Sequence, residues 1–334
     1  MEIGKVPETV LKRAVFQQIR TKREEILTGP GVGEDCAIMQ LGPDEVFVLS
    51  TDPITGTDKD MGTLAVQITA NDLASAGAEP VGMLLTVLLP PSADEEMIRR
   101  LMGEVECACE KLHIQVMGGH TEVTAVVNQP VISVTGVGKA KKGRQVTTGG
   151  AHVGDDVIVT KWIGIEGTSI IAKEKEEELL RHFPAELVAE AEGLSRFLSV
   201  VPEAMIAVEN GVTAMHDVTE GGIYGALWEL AEASGVGLAV EKEKIPLRRE
   251  TEELCKYFHL DPYRLISSGS MLMTAPDGHR LVEALKRAGI AASVVGRCVA
   301  GEAKTVQNGA GTIALGRPET DELYKIVTVQ NSTK

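Results

Sequence analysis

Between Pro80 and Pro90 the chain reads Val81-Gly82-Met83-Leu84-Leu85-Thr86-Val87-Leu88-Leu89. An apolar run of strand length, closed by proline at both ends, reads as a buried strand over 82–89. The first half of the chain must therefore contain a sheet. Further strands are expected at 36–41, 46–49, 114–117 and 131–137, with Ser50-Thr51-Asp52-Pro53 ending the second of these. Between them lie helical patterns at 8–27, 62–76 and 94–112. The last carries Asp94, Glu95 and Glu96 in its first turn, where the helix dipole favours them.

The stretch from Lys139 to Asp156 is rich in Lys, Gly and Thr and poor in apolar residues. It places a domain boundary there, with domains at 1–152 and 153–334. In the second half, strands are expected at 156–160, 212–215, 238–241, 271–274 and 292–295. Helices are expected at 168–182, 185–199 and 278–288, with another carrying Leu227, Leu230 and Ala231. Neither half shows regular βαβ alternation, so the expected class is α+β.

Composition narrows the function. The 334 residues carry a formal net charge of −15 and only 3% aromatics. Phosphate backbones are repelled and stacking platforms are scarce, so no nucleic-acid partner is expected. Magnesium can still bridge carboxylates to a nucleotide. The five cysteines are scattered without disulfide or zinc spacing. The apolar runs are too short to span a membrane, and MEIGKVPETV has no signal core. A cytoplasmic location is the expectation.

The P-loop, Rossmann, nucleophile-elbow and zincin patterns are all missing. Five other segments combine glycine with acidic or hydroxyl residues. Gly31-Val32-Gly33-Glu34-Asp35 could bring carboxylates to a cation, or be an acidic turn. Ser50-Thr51-Asp52 closes an apolar strand. Asn71 and Asp72 fall on or beside the apolar stripe of Leu64, Ala65 and Ile68, where a carboxylate is costly unless paired or metal-bound. Gly118-Gly119-His120-Thr121-Glu122 follows a strand directly. His216-Asp217-Val218-Thr219-Glu220-Gly221-Gly222 enters a helix, suiting an anion or a helix cap.

Taken in order, G-E-D-C-A, S-T-D, T-A-N-D-L-A-S-A-G-A-E-P, G-G-H-T-E-V-T and H-D-V-T-E-G-G resemble the AIR synthase-related superfamily. That group includes aminoimidazole ribonucleotide (AIR) synthase, thiamine-monophosphate kinase, selenophosphate synthetase and the hydrogenase-maturation protein HypE. The resemblance runs from Gly31 to about Arg297, and among members the chain looks most like HypE. It implies an N-terminal α+β domain that dimerises through its sheet and a C-terminal α+β domain. It also implies ATP held with magnesium, and phosphorylation of a small or peptidyl acceptor.

Carried over residue by residue, it implies Asp35, Asp52 and Asp72 on the metal, and Asp72, His120 and Asp217 at the catalytic centre. Gly33, Thr51, Asn71, Gly118, Gly119, Thr121, Glu122, Thr219, Glu220 and Gly221 would surround the nucleotide. The chain departs from the family in three places. Glu34 precedes Asp35 where many relatives have two aspartates. His120 replaces the Asp usual in HypE and thiamine-monophosphate kinases, and the glutamate usual in AIR synthase, which disfavours that last activity. No cysteine follows Cys298, whereas HypE ends in a reacting cysteine. The acceptor is therefore expected on another molecule. A nucleotide-binding partner in hydrogenase maturation is the alternative to an enzyme.

Overall fold

The computed structural model describes residues 4–5, 8–28, 38–54 and 60–327. The backbone divides into two compact units, one within Met1–Ala74 and Ala78–Gln145, the other within Ser75–Gly77 and Val146–Lys334.

The first unit contains β1 (Gly4–Lys5), β2 (Ile26–Thr28), β3 (Ile38–Met39), β4 (Glu45–Ile54), β5 (Glu79–Leu89), β6 (Gln115–Val123) and β7 (Val131–Lys141). Five of these form a sheet in the order β1-β6-β5-β7-β4, while β2 and β3 pair separately. The apolar run between the two prolines is the central strand, as expected. It pairs parallel with β6 and antiparallel with β7. Met83, Leu85, Val87 and Leu89 are buried, whereas the alternate residue Thr86 is exposed.

The buried face is covered by the helix Met61–Ser75, which is buried on almost every side rather than along one stripe. Gly136 of β7 lets it approach, since a Cβ there would lie 2.5 Å from Thr69 Cγ2. A second helix, Glu95–Leu112, crosses close to the first: a Cβ on Gly62 would lie 2.6 Å from the Leu101 carbonyl. Its N-cap Asp94 accepts from the Met97 N–H at 2.8 Å.

The expected helix over 8–27 is shorter. Helical structure ends at Phe16, and Ile26–Thr28 is a strand. Glu106 Oε1 accepts the backbone N–H groups of Arg20 and Thr21, and Gln115 Oε1 accepts that of Arg23. These tertiary acceptors replace the helical ones. The buried Arg23 guanidinium also binds Glu25 and Glu79, which fixes the segment against the sheet.

The strand expected to stop at Leu49 continues through Ser50-Thr51-Asp52-Pro53 to Ile54. Proline is tolerated because β4 is an edge strand. The strand expected to stop at 117 also runs on, through Val123. Gly118 and Gly119 lie inside β6, just past a bulge that leaves Met117 outside the register.

The second unit contains β8 (Asp156–Thr160), β9 (Ala214–Asp217), β10 (Gly237–Glu241), β11 (Met271–Ala275), β12 (Ala292–Val299), β13 (Lys304–Asn308) and β14 (Gly311–Ala314). They form one sheet in the order β14-β13-β10-β12-β8-β11-β9. One core gathers Ile223, Leu227 and Leu230 of the helix Gly222–Ser234 with Val157, Leu238 and Leu272 of the sheet. Another joins Ile171, Val188 and Leu254 from the helices Ile165–Glu174, Ala185–Glu192 and Arg249–Tyr257. The helices expected over 168–182 and 185–199 are each interrupted, at Lys175 and at Gly193. The architecture is α+β in both units, as expected.

Candidate functional site

In β4 the side chains alternate, so Ser50 and Asp52 point to the helix-covered face and Thr51 to the other. Ser50 Oγ donates to Asp72 Oδ2 at 2.6 Å and lies 3.4 Å from Asp52 Oδ2. An edge strand and the Met61–Ser75 helix thus bring two carboxylates to one hydroxyl. Neighbouring like charges disfavour each other unless a cation joins them. Both side chains are half-buried, so the pair is not sealed off.

Hard oxygen donors of this kind suit magnesium, which is commonly held by one or two carboxylates together with phosphate oxygens. No larger cluster of metal-ligating side chains gathers among the described residues. The expected Gly33 and Asp35 lie outside those residues. Asn71, next to Asp72, is fully buried.

The other expected residues of this unit divide between the two faces of the sheet. His120 and Glu122 share a face with Thr51 and are placed opposite to Asp52 by the register. His120 Nε2 lies 3.0 Å from Glu122 Oε2, with the imidazole about half exposed. Thr51 Oγ1 shares a hydrogen bond with Thr135 Oγ1 at 3.1 Å. Gly118 opposes Leu84 on that face too, while Gly119 and the half-buried Thr121 oppose Leu85 and Val87. Gly119 is a steric requirement: its φ is +148° and a Cβ would sit 2.0 Å from the Leu85 carbonyl oxygen.

In the second unit, Asp217 is buried at the end of β9 and Thr219 is half-buried. Gly221 and Gly222 both have positive φ and turn the chain into its helix. A Cβ on Gly222 would come within 2.7 Å of the Tyr263 carbonyl. The N-cap of this helix is Gly221, which has no side chain of its own to cap with. Instead Asp321, far along the chain, accepts the Gly221 N–H at 2.8 Å. The Tyr324 hydroxyl donates to Glu220.

Beneath these lies Glu166, in the first turn of its helix and 4% exposed. Burial raises its carboxyl to about 7, against bonds from Ser268 that act the other way, and nearby Asp321 and Glu220 add to the rise. Glu166, Ser268, Asp321 and Tyr324 were not among the expected residues. A buried carboxyl of this kind leaves no trace in local sequence beyond the glycines flanking Ile165-Glu166. Cys298 is 1% exposed in β12 and its thiol is pushed up by burial to about 12, which makes it a packing residue.

Comparison with known proteins gives a consistent picture. Residues 33–140 match the family of AIR synthase related protein, N-terminal domain, and 152–308 match its C-terminal domain. The chain is 29% identical over 300 residues to carbamoyl dehydratase HypE of Rhodobacter capsulatus, covering 88% of this chain and 85% of that protein. To the carbamoyl dehydratase HypE of Rhizobium leguminosarum bv. viciae it is 30% identical over 275 residues, covering 78% and 76%. Its fold is like the crystal structure of hydrogenase maturation protein HypE in complex with ATP. The TM-score is 0.80 at 19% identity, over 96% of this chain and 97% of that one.

Proposed function

The chain belongs to the AIR synthase-related family, and we propose that it is an ATP-dependent enzyme that transfers a phosphoryl group to an acceptor oxygen. The observation that carries this reading is the convergence of Asp52 and Asp72 on Ser50, at half-buried positions within two of the family-like motifs. In this reading both carboxylates hold magnesium, and the domain at 1–152 binds the nucleotide. When bound, magnesium supplies neutralisation of triphosphate charge.

The chain's own contribution is positioning. β4 and the Met61–Ser75 helix fix the carboxylates before any ligand arrives, so little reorganisation is needed at the moment of transfer. Asp217 is proposed as a catalytic residue, and Thr219, Glu220 and Gly221 as nucleotide-binding residues. Cys298 is too deeply packed to carry a reacting group, and in this reading the acceptor is a separate molecule. Carbamoylated substrates belong in the test because relatives are carbamoyl dehydratases.

We further propose a homodimer formed through the open face of the first sheet, where Phe47 and Leu49 are 52% and 65% exposed. A monomer by light scattering at micromolar concentration contradicts that part.

The test of activity is ADP release with magnesium across a panel of acceptor alcohols, carboxamides and carbamoylated peptides. Release stimulated by one class supports an enzyme. ATP binding without stimulated turnover by any class favours a nucleotide-binding partner protein instead.

A further inference from the structure

The residues after β14 return across the start of the Gly222–Ser234 helix. Asp321 Oδ2 accepts the Gly221 N–H at 2.8 Å, and Asp321 Oδ1 accepts the Leu323 N–H at 2.8 Å. Glu322 Oε2 accepts the Asp261 N–H at 3.1 Å, and Leu323 packs into the core beside Leu265. Tyr324 reaches Glu220. A helix N-terminus with two left-handed glycines is a seat for an anion, because its N–H groups point outward and the dipole adds positive potential. Here the chain's own carboxylate occupies it.

Three features suggest that the seat was built for more than this contact. The Tyr224 hydroxyl, on a residue only 5% exposed, has no hydrogen-bond partner. A buried hydroxyl left unpaired is costly. Tyr224 lines a cavity together with Gly221, Gly225, Arg264, Arg317 and the returning segment. The Arg264 guanidinium stands 3.7 Å from both Asp261 and Glu319, too far for a good hydrogen bond to either.

This cavity, walled by the returning residues on either side of Asp321, measures only about 20 Å³, room for roughly one water molecule. A tetrahedral oxyanion can enter only if the segment moves. The contact also has a built-in cost. Burial raises the Asp321 carboxyl above its ordinary range, against backbone N–H bonds from Leu323, Gly221 and Ile266 that act the other way, and Glu220 adds to the rise.

We propose that residues 316–326 form a self-inhibitory strap whose Asp321 carboxylate fills an oxyanion seat at Gly221, and that a phosphoryl oxyanion displaces it and gains Tyr224 and Arg264 as further contacts. The strap is thus a competitor carried by the chain itself. This rests on the proposed function in placing a ligand at Gly221, and its test fails separately from the test of ATP binding. The oxyanion can belong to the nucleotide or to free phosphate or a phosphorylated acceptor, and the shared chemistry is the tetrahedral anion.

The test is hydrogen exchange of 316–326 in the full chain, alone, with inorganic phosphate, and with magnesium ATP. Binding of each ligand is measured in parallel by calorimetry. The expected result is faster exchange in the strap with phosphate. Asp321→Ala is expected to bind phosphate roughly ten-fold more tightly. Tyr224→Phe loses only an unpartnered hydroxyl, so it is expected to keep the fold yet bind phosphate more weakly.

Acceleration by ATP but not by phosphate assigns the anion to the nucleotide; acceleration by phosphate assigns it to free phosphate or an acceptor. Either supports the seat. Unchanged exchange with both ligands, together with unaltered phosphate affinity in Asp321→Ala and Tyr224→Phe, overturns it. If magnesium ATP binds while the strap stays closed to both ligands, the strap fails and the ATP reading stands. If phosphate opens the strap but ATP does not bind, the reverse holds.

Discussion

Ser50 Oγ donates to Asp72 Oδ2 at 2.6 Å, which ties the edge strand β4 to the helix that covers it. The same hydroxyl is 3.4 Å from Asp52 Oδ2. Folding alone therefore sets two carboxylates side by side, and the proposed magnesium binding follows from that pair.

Asp72→Asn keeps an oxygen that can accept from Ser50 but removes the charge. Magnesium-dependent ATP affinity is expected to fall by about ten-fold or more, roughly 1.4 kcal/mol. The melting temperature should shift by no more than a few degrees, because the hydrogen bond survives. Calorimetric titration and a thermal melt of the same sample decide it. Unchanged affinity removes Asp72 from the metal site.

Gly119→Ala places a Cβ against the Leu85 carbonyl at a backbone angle that L-residues rarely adopt. The parallel pairing of β5 with β6 must open locally to accept it. A loss of at least about 2 kcal/mol is expected from strain and broken ladder bonds. Urea unfolding monitored by circular dichroism measures it. A variant as stable as the parent would show that β6 is not held to this register.

Glu166 gives stability a pH dependence. Its carboxyl is raised from an ordinary 4.5 to about 7 by burial. Between those values the folded chain keeps a proton that the unfolded chain has released. The group's contribution is therefore complete below about pH 4.5, declines as pH rises, and is lost above about pH 7. The full loss is on the order of 3 kcal/mol. Glu166→Gln mimics the protonated form and escapes the decline. Relative to the parent, the variant should gain stability between pH 5 and pH 8 in urea titrations. A difference that stays constant with pH contradicts this assignment.

Much of this architecture could be read from residue patterns. The Pro-bounded run at 82–89 is the central strand, and Asp94 caps the helix that its acidic first turn announces. Local patterns misled where tertiary contacts compete with them. Glu106 and Gln115 capture the backbone of residues 20–23 and end a helix whose periodicity runs on. Ser50-Thr51-Asp52-Pro53 has turn composition, yet β7 pairs with it throughout.

The site was legible in part for the same reason. Asp52 and Asp72 meet, whereas His120 and Glu122 fall on the opposite sheet face because β6 continues as a strand. Asp321 could not be found beforehand, since its partner Gly221 lies a hundred residues away and nothing local marks it as a helix cap.

The central claim is that the chain binds ATP through magnesium on Asp52 and Asp72. Titration of the intact protein with ATP, in magnesium and again in EDTA, tests it most directly, with Asp52→Asn as the companion sample. A saturable heat in magnesium is predicted, strongly reduced in EDTA and in the variant. Equal binding with and without magnesium, or no binding under either condition, would contradict it.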